Sequence, residues 1–257
     1  MKYEISEKIK EYYDNASIEK IRDFINGNER AEKAWNTIST YALNPSNILE
    51  IGCGIGAMCN RCNLTWPDAQ IIGIDISAKS IKVAKNLFES EKCQFYTDLP
   101  RNKDKAGFDL ILLIDVIEHV EKHQRQQLID FIKENLSENG MLILAFPTPH
   151  MLDINRQYFP EKLQPVEENI FISDLQHISQ VISKPLVLYK EIFVWQKRDY
   201  AHAIFSEQLI EDSRKSIALR KQLINKIKSL YPKVDIKNIN KSRKEFVLKK
   251  MNLDLDN

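Results

Sequence analysis

The chain has 257 residues, 37 basic against 36 acidic for a net charge of +1, and 43% apolar content. That length suits one large domain, or one domain with an appendage, and the charge gives no bulk attraction to nucleic acid. No apolar run reaches the roughly 18 residues of a membrane span, the start Met1-Lys2-Tyr3-Glu4 lacks a signal-peptide core, and four cysteines are too few for a disulfide framework, so a cytoplasmic protein is expected.

Residues 3–26 place Tyr13, Ile18, Ile21 and Phe24-Ile25 at helical spacings. A second helix is expected over about 28–42. Strands and helices then alternate. The apolar run Ile48-Leu49-Glu50-Ile51 enters the glycine-rich stretch Gly52-Cys53-Gly54-Ile55-Gly56, with a helix expected over 56–64. A strand over 70–75 precedes a helix begun by Ser77, with Ile81, Val83-Ala84 and Leu87-Phe88 turned inward. A strand over 93–97 leads into a polar loop. A strand over 109–114 precedes a helix over 123–136, and a strand over 141–146 stops at Pro147. This alternation, with near-continuous apolar strands, predicts a parallel sheet covered on both faces. Leu186–Tyr189 and Tyr200–Phe205 read as a closing, hairpin-like pair of strands at the sheet edge. Beyond Phe205, Ile210, Ile217, Ile224 and Tyr231 fall seven apart in a helix ended by Pro232, with a polar tail over 233–257. That helix packs on the core or carries a homodimer.

Three of the chain's seven glycines lie in 52–56. A strand, a glycine turn and a helix form a device for cradling a nucleotide on bare backbone and free N–H groups. The spacing is G-x-G-x-G, one position short of the dinucleotide fingerprint, and no Arg or Lys sits in the loop. Asp75 ends the second strand, where an acid can take both hydroxyls of a ribose. That role is common to NAD and S-adenosylmethionine sites.

ILEIGCGIGA (48–57) with IIGIDIS (71–77) resembles the class I S-adenosylmethionine-dependent methyltransferases. QFYTDLP (94–100), FDLILLIDVIEHV (108–120) and NGMLILAFPTP (139–149) resemble that family's third, fourth and fifth strands, so the likeness covers roughly 45–205. It implies an α/β, Rossmann-like, doubly wound, mostly parallel seven-stranded sheet with an antiparallel last strand. It divides the chain into N-terminal helices over 1–44, a cofactor-binding domain over 45–205, and a C-terminal appendage over 206–257. The implied cofactor is S-adenosyl-L-methionine. Gly52, Cys53 and Gly54 would offer backbone to its methionyl and ribose portions. Asp75 would hold the ribose hydroxyls and Ile76 would pack on the adenine. Asp98 would accept from the adenine amino group, with the Leu99 backbone beside it. Ile114 and Asp115 would line the methionine side, and Glu50 would order the loop. Glu50 and Asp98 suit a helix cap or a turn as well. Tyr12 and Tyr13 are candidates to lid the cofactor, and Arg30 to meet its carboxylate.

The transferred methyl arrives activated, so the protein must orient the acceptor and, for a hydroxyl, remove its proton. His119, just beyond the fourth strand, is the first candidate base. A histidine there also suits the holding of Glu118 or a backbone carbonyl. His150, after the fifth strand, is the second candidate, and His202 reads as structural. Asp115-x-x-Glu118-His119 resembles the metal run of small-RNA 3′-end methyltransferases, which has Glu first and further histidines. This chain departs from both, and no metal is expected there or at Cys59-Asn60-Arg61-Cys62. Segment 147–185 is polar and aromatic without the basic–aromatic interleaving of a nucleic-acid groove. The expected reaction is methyl transfer to a small molecule or a sugar or glycan, at oxygen. The alternatives are a small-RNA or other N- or O-methyltransferase, a nucleotide-dependent oxidoreductase, and a catalytically silent nucleotide-binding module.

Overall fold

The computed structural model describes residues 7–100, 107–207 and 236–251. Three helices lead: α1 (Glu7–Asn15), α2 (Ser17–Asn26) and α3 (Glu29–Tyr41). The single helix expected over 3–26 is broken at Ala16, where Ser17 Oγ donates to the Asp14 carbonyl at 2.8 Å. Asn28 opens α3 by accepting from the Ala31 N–H, as a cap with a short polar side chain should.

The alternating core follows as β1 (Asn47–Ile51), α4 (Ala57–Thr65), β2 (Gln70–Ile74), α5 (Ala78–Phe88), β3 (Cys93–Tyr96), β4 (Phe108–Ile114), α6 (Arg125–Asn135) and β5 (Leu136–Pro147). A 3₁₀ turn, Ile117–His119, lies between β4 and α6. Two helices, α7 (Pro149–Tyr158) and α8 (Ile172–Ile182), then precede β6 (Leu186–Ile192) and β7 (Tyr200–Phe205). The strands form one seven-stranded sheet in the order β3-β2-β1-β4-β5-β7-β6. β1 to β5 pair in parallel, and β7 runs antiparallel between β5 and β6. The expected fold is therefore the observed one, with the last strand one place in from the edge.

Each face of the sheet carries its own core. One gathers Ile48, Ile71, Phe95 and Leu112 with Ile38 of α3, Met58 of α4 and Leu87 of α5. The other gathers Leu49, Ile72, Ile111 and Phe146 with Leu128 and Ile132 of α6 and Leu175 and Ile178 of α8. Alternate residues of one strand thus serve opposite cores, which explains the near-continuous apolar runs.

The C-terminal expectation is corrected in part. Residues expected as polar tail contain a helix, α9 (Ile236–Met251). Val247 is 2% exposed, and Phe246 stacks on Phe88 of α5 at 6.0 Å. Phe246, Val247, Arg243 and, beside Asn86, Met251 meet the rest of the molecule, too few apolar residues to stand out among lysines. The helix expected over 210–231, and the homodimer attached to it, lie outside the described residues.

Candidate active site and cofactor cleft

The glycine turn is built around Asp75. Gly54 N–H donates to Asp75 Oδ2 at 2.7 Å, and Ser77 N–H donates to Oδ1 at 2.9 Å. Gly52 and Cys53 N–H both donate to the Ile74 carbonyl, at 2.7 and 3.0 Å. The turn is thus tied to the carboxyl end of β2. Gly54, at φ 53, is the glycine whose bare face looks into the cleft: a Cβ there would lie 3.2 Å from Lys20 of α2. A Cβ on Gly56 would instead strike the Phe95 ring, so that glycine serves packing. Each Asp75 oxygen spends one acceptor site on the loop and keeps another, which fits a vicinal diol. Lys20 Nζ stands 3.9 Å from Asp75 Oδ2 and 5.6 Å from the Tyr13 ring centroid. Asp14 of α1 holds this cover by accepting from Ser77 Oγ and Lys79 N–H at 2.6 and 3.1 Å.

Glu50 lies beneath the turn, 4% exposed, and accepts from the Cys59 thiol at 2.8 Å. Burial raises its carboxyl to about 7. At the other end, Ile76 is half-buried, and Asp98 is exposed with Oδ1 accepting from Leu99 N–H at 2.8 Å.

Asp115 directly follows β4 with φ 56, a left-handed conformation that Asp tolerates better than most residues. Its carboxylate takes Arg30 Nη1 at 3.1 Å and the Tyr200 hydroxyl at 2.7 Å, and Arg30 Nη1 also donates to the Tyr200 oxygen at 3.0 Å. Antiparallel β7 begins at Tyr200 opposite Pro147, which brings that hydroxyl to the carboxyl rim. Trp195 lies 5.5 Å from the Arg30 guanidinium. Asp199, fully buried, fixes that turn by accepting from the N–H groups of Val194, Trp195 and Gln196 at 2.9, 2.7 and 3.0 Å. Arg30 therefore reaches the rim where Ile114 and Asp115 sit. Sequence reading missed Lys20, Tyr200, Trp195 and Asp199. They come from elements with no motif, and only the antiparallel pairing of β7 could have drawn attention to Tyr200.

His119 sits on the 3₁₀ turn after β4, with its side chain 10% exposed. Its Nδ1 meets the Val166 carbonyl at 2.9 Å. A carbonyl only accepts, so Nδ1 donates in this bond and Nε2 is the ring nitrogen left to act as a base. The Tyr13 ring lies 6.3 Å from it. Glu118 is 1% exposed, with Oε1 3.6 Å from His119 Nε2. Burial first, and Asp115 second, push its carboxyl well above the usual range. His150 is exposed in the first turn of α7. His202 is buried, meets Thr37 Oγ1 at 2.7 Å, and is pushed down to about 4 by burial. Among the described residues no group of three His, Cys, Asp or Glu is placed to hold a metal ion, and no helix is long and apolar enough to cross a membrane.

A family model for a methyltransferase domain matches residues 23–185. The ubiquinone biosynthesis O-methyltransferase of Pelagibacter ubique (strain HTCC1062) is 38% identical over 117 residues, covering 42% of this chain and 44% of that protein. The ajmaline N-methyltransferase of Rauvolfia serpentina is 30% identical over 138 residues, covering 49% of this chain and 43% of that protein. The chain thus spans under half the length of these curated relatives. Among solved structures, magnesium protoporphyrin IX methyltransferase from Synechocystis PCC 6803 with bound SAH aligns with a TM-score of 0.59 at 15% identity, over 77% of this chain and 99% of that one. A Haloferax volcanii methyltransferase solved with the Trm112 activator aligns at 0.63 and 11% identity, over 78% and 98%. At these identities the structures show a shared fold. The family model covers more than half of the chain and takes in the glycine turn, Asp75 and the strand-four rim; the chain belongs to this methyltransferase-domain family and has the fold of the class I S-adenosylmethionine-dependent methyltransferases.

Proposed function

We propose that the enzyme methylates an oxygen atom of a small molecule or sugar, with His119 taking the proton. Bound S-adenosylmethionine supplies a methyl group already activated on a sulfonium. Asp75 would hold its ribose and Gly52, Cys53 and Gly54 its backbone-facing edge. Ile76 and Asp98 with Leu99 would meet the adenine, and Ile114, Asp115 and Arg30 the methionyl end. Tyr13 and the α1–α2 cover would exclude water. The observation that carries the reading is the His119–Val166 hydrogen bond at 2.9 Å. It fixes the ring so that Nε2 is basic at the rim of β4, where open α/β sheets bind ligands. His150 is the second candidate. A cytoplasmic setting goes with four buried free thiols, which suit a reducing compartment.

The test is methyl transfer from labelled S-adenosylmethionine to fractions of cell extract, followed by identification of the labelled product. His119→Ala should lower kcat by about 10²–10⁴ and leave S-adenosylhomocysteine affinity unchanged. The wild-type rate should depend on pH through one ionising base, and His119→Ala should lose that dependence. Normal turnover by His119→Ala and His150→Ala, with a flat profile, would move the reading to an amine that loses its proton before binding.

A further inference from the structure

We infer that the methyl acceptor carries an amine close to its reacting hydroxyl, and that Glu118 and Glu167 hold that amine. The inference rests on the proposed role of His119 at the same site.

The segment 164–168 is strapped across the 3₁₀ turn that carries Glu118 and His119. Glu168 N–H donates to the Glu118 carbonyl at 2.8 Å, and His119 Nδ1–H donates to the Val166 carbonyl at 2.9 Å. Between these two bonds the strap delivers Glu167, whose carboxylate adds its field to those of Glu118 and Asp75 on the Tyr13 hydroxyl. The strap also leaves buried atoms without partners. Glu118, 1% exposed, has no partner for Oε2, and the buried Oε2 of Glu167 and Oε1 of Gln164 have none either. Gln164 Oε1 only accepts, and so does each carboxylate in its ionised form, so what these atoms call for is a donor.

The protein's own cations do not fill this need. Arg30 is taken by Asp115 and Tyr200, and Arg125 by the Val120 carbonyl and Asp174. Among the described residues no Lys or Arg forms an ion pair with Glu118 or Glu167, while His119 Nε2 lies 3.6 Å from Glu118 Oε1. A protonated amine brings three N–H donors on one compact cation, matching several acceptor-only atoms. Glu118 Oε1 and His119 Nε2 lie 3.6 Å apart, so an amine on Glu118 and a hydroxyl on His119 sit close together on the acceptor, as in an amino alcohol or an amino sugar. Burial pushes the Glu118 carboxyl up, and an ammonium beside it would favour its ionised form and the release of a proton to the buffer.

The test compares 2-amino-1-phenylethanol with 1-phenyl-1,2-ethanediol, which differ by amine against hydroxyl. Binding of each to the S-adenosylhomocysteine-saturated full chain is read by calorimetry at pH 7 in two buffers of different ionisation heat. The amine should bind at least about tenfold more tightly, as charged hydrogen bonds require, with proton release. Glu167→Gln should bring the ratio near one, and Glu118→Gln should also abolish the proton release. Equal binding, no binding of either probe at millimolar concentration, or a magnesium ion that binds where the amine does not would overturn the inference. Labelled transfer to a hydroxyl compound without an amine would overturn it too, while leaving the proposed oxygen transfer standing.

Discussion

Glu50 has a carboxyl raised to about 7 by burial, against an ordinary value of 4.5. The Cys59 thiol bond works in the opposite direction and is outweighed. The folded chain keeps a proton there that the unfolded chain gives up near pH 4.5. The stability this proton contributes is full below the unfolded value and is lost as pH rises through about 7. One pKa unit is about 1.4 kcal/mol, so the loss is on the order of 3 kcal/mol. Denaturant unfolding followed from pH 4.5 to 8 should show this decline in the wild type, and Glu50→Gln should remove it. Parallel profiles for the two proteins would contradict the assignment. Glu50, Asp75 and the glycine turn were legible in the sequence because one short stretch holds strand, turn and acid together. Asp115 and Arg30 were legible singly, but Tyr200 and the grouping of the three were not. The members of that group lie 85 and 170 positions apart in chain pairs, and only the folded sheet brings them within hydrogen-bond reach. Lys20 was hidden for the same reason: a lysine on an amphipathic helix looks like a solvated charge until the helix lies across Gly54.

Among the elements, those with strong apolar periodicity were readable and those docked by a few contacts were not. β1, β2, β4 and β5 stand out as buried runs, and α5 shows its inward face at Ile81, Ala84, Leu87 and Phe88. α7 and α8 fall in a segment whose prolines and polar residues mask them, although Thr148 and Pro149 make a good helix start. α9 is the clearest case. Its docking depends on Phe88, which meets Phe24 of α2 at 5.4 Å on one side and Phe246 of α9 at 6.0 Å on the other. Arg243 of α9 adds a contact over the Phe24 ring at 5.7 Å. Phe88→Ala removes the ring that both helices share, and a buried Phe→Ala typically costs about 3–5 kcal/mol. Thermal unfolding should shift down accordingly, and amide exchange should speed up in both α2 and α9. Loss of protection in α5 alone would show that α9 is held by other contacts.

At the scale of the whole molecule, the alternation of strand and helix carried the class of fold, and right-handed crossovers between parallel strands leave few ways to arrange it. The position of β7 inside the sheet was less accessible, because a hairpin reading alone does not say which strand pairs with β5. That position matters, since it delivers Tyr200 to the rim. The two cores, one on each face, make a rigid sheet whose carboxyl edge gathers Asp75, Asp115 and His119 from separate elements under a cover of α1 and α2. The central claim is that this edge holds S-adenosylmethionine through Asp75. Calorimetry with S-adenosylhomocysteine on the wild type and on Asp75→Ala tests it most directly, with thermal unfolding as a check that the variant folds. The wild type should bind in the micromolar range and should not bind NAD. The variant loses a charged acceptor worth about 1.5–3 kcal/mol, so its affinity should fall between about tenfold and a few hundredfold. A folded Asp75→Ala protein with unchanged affinity, or a wild type that binds NAD more tightly than S-adenosylhomocysteine, would contradict the account.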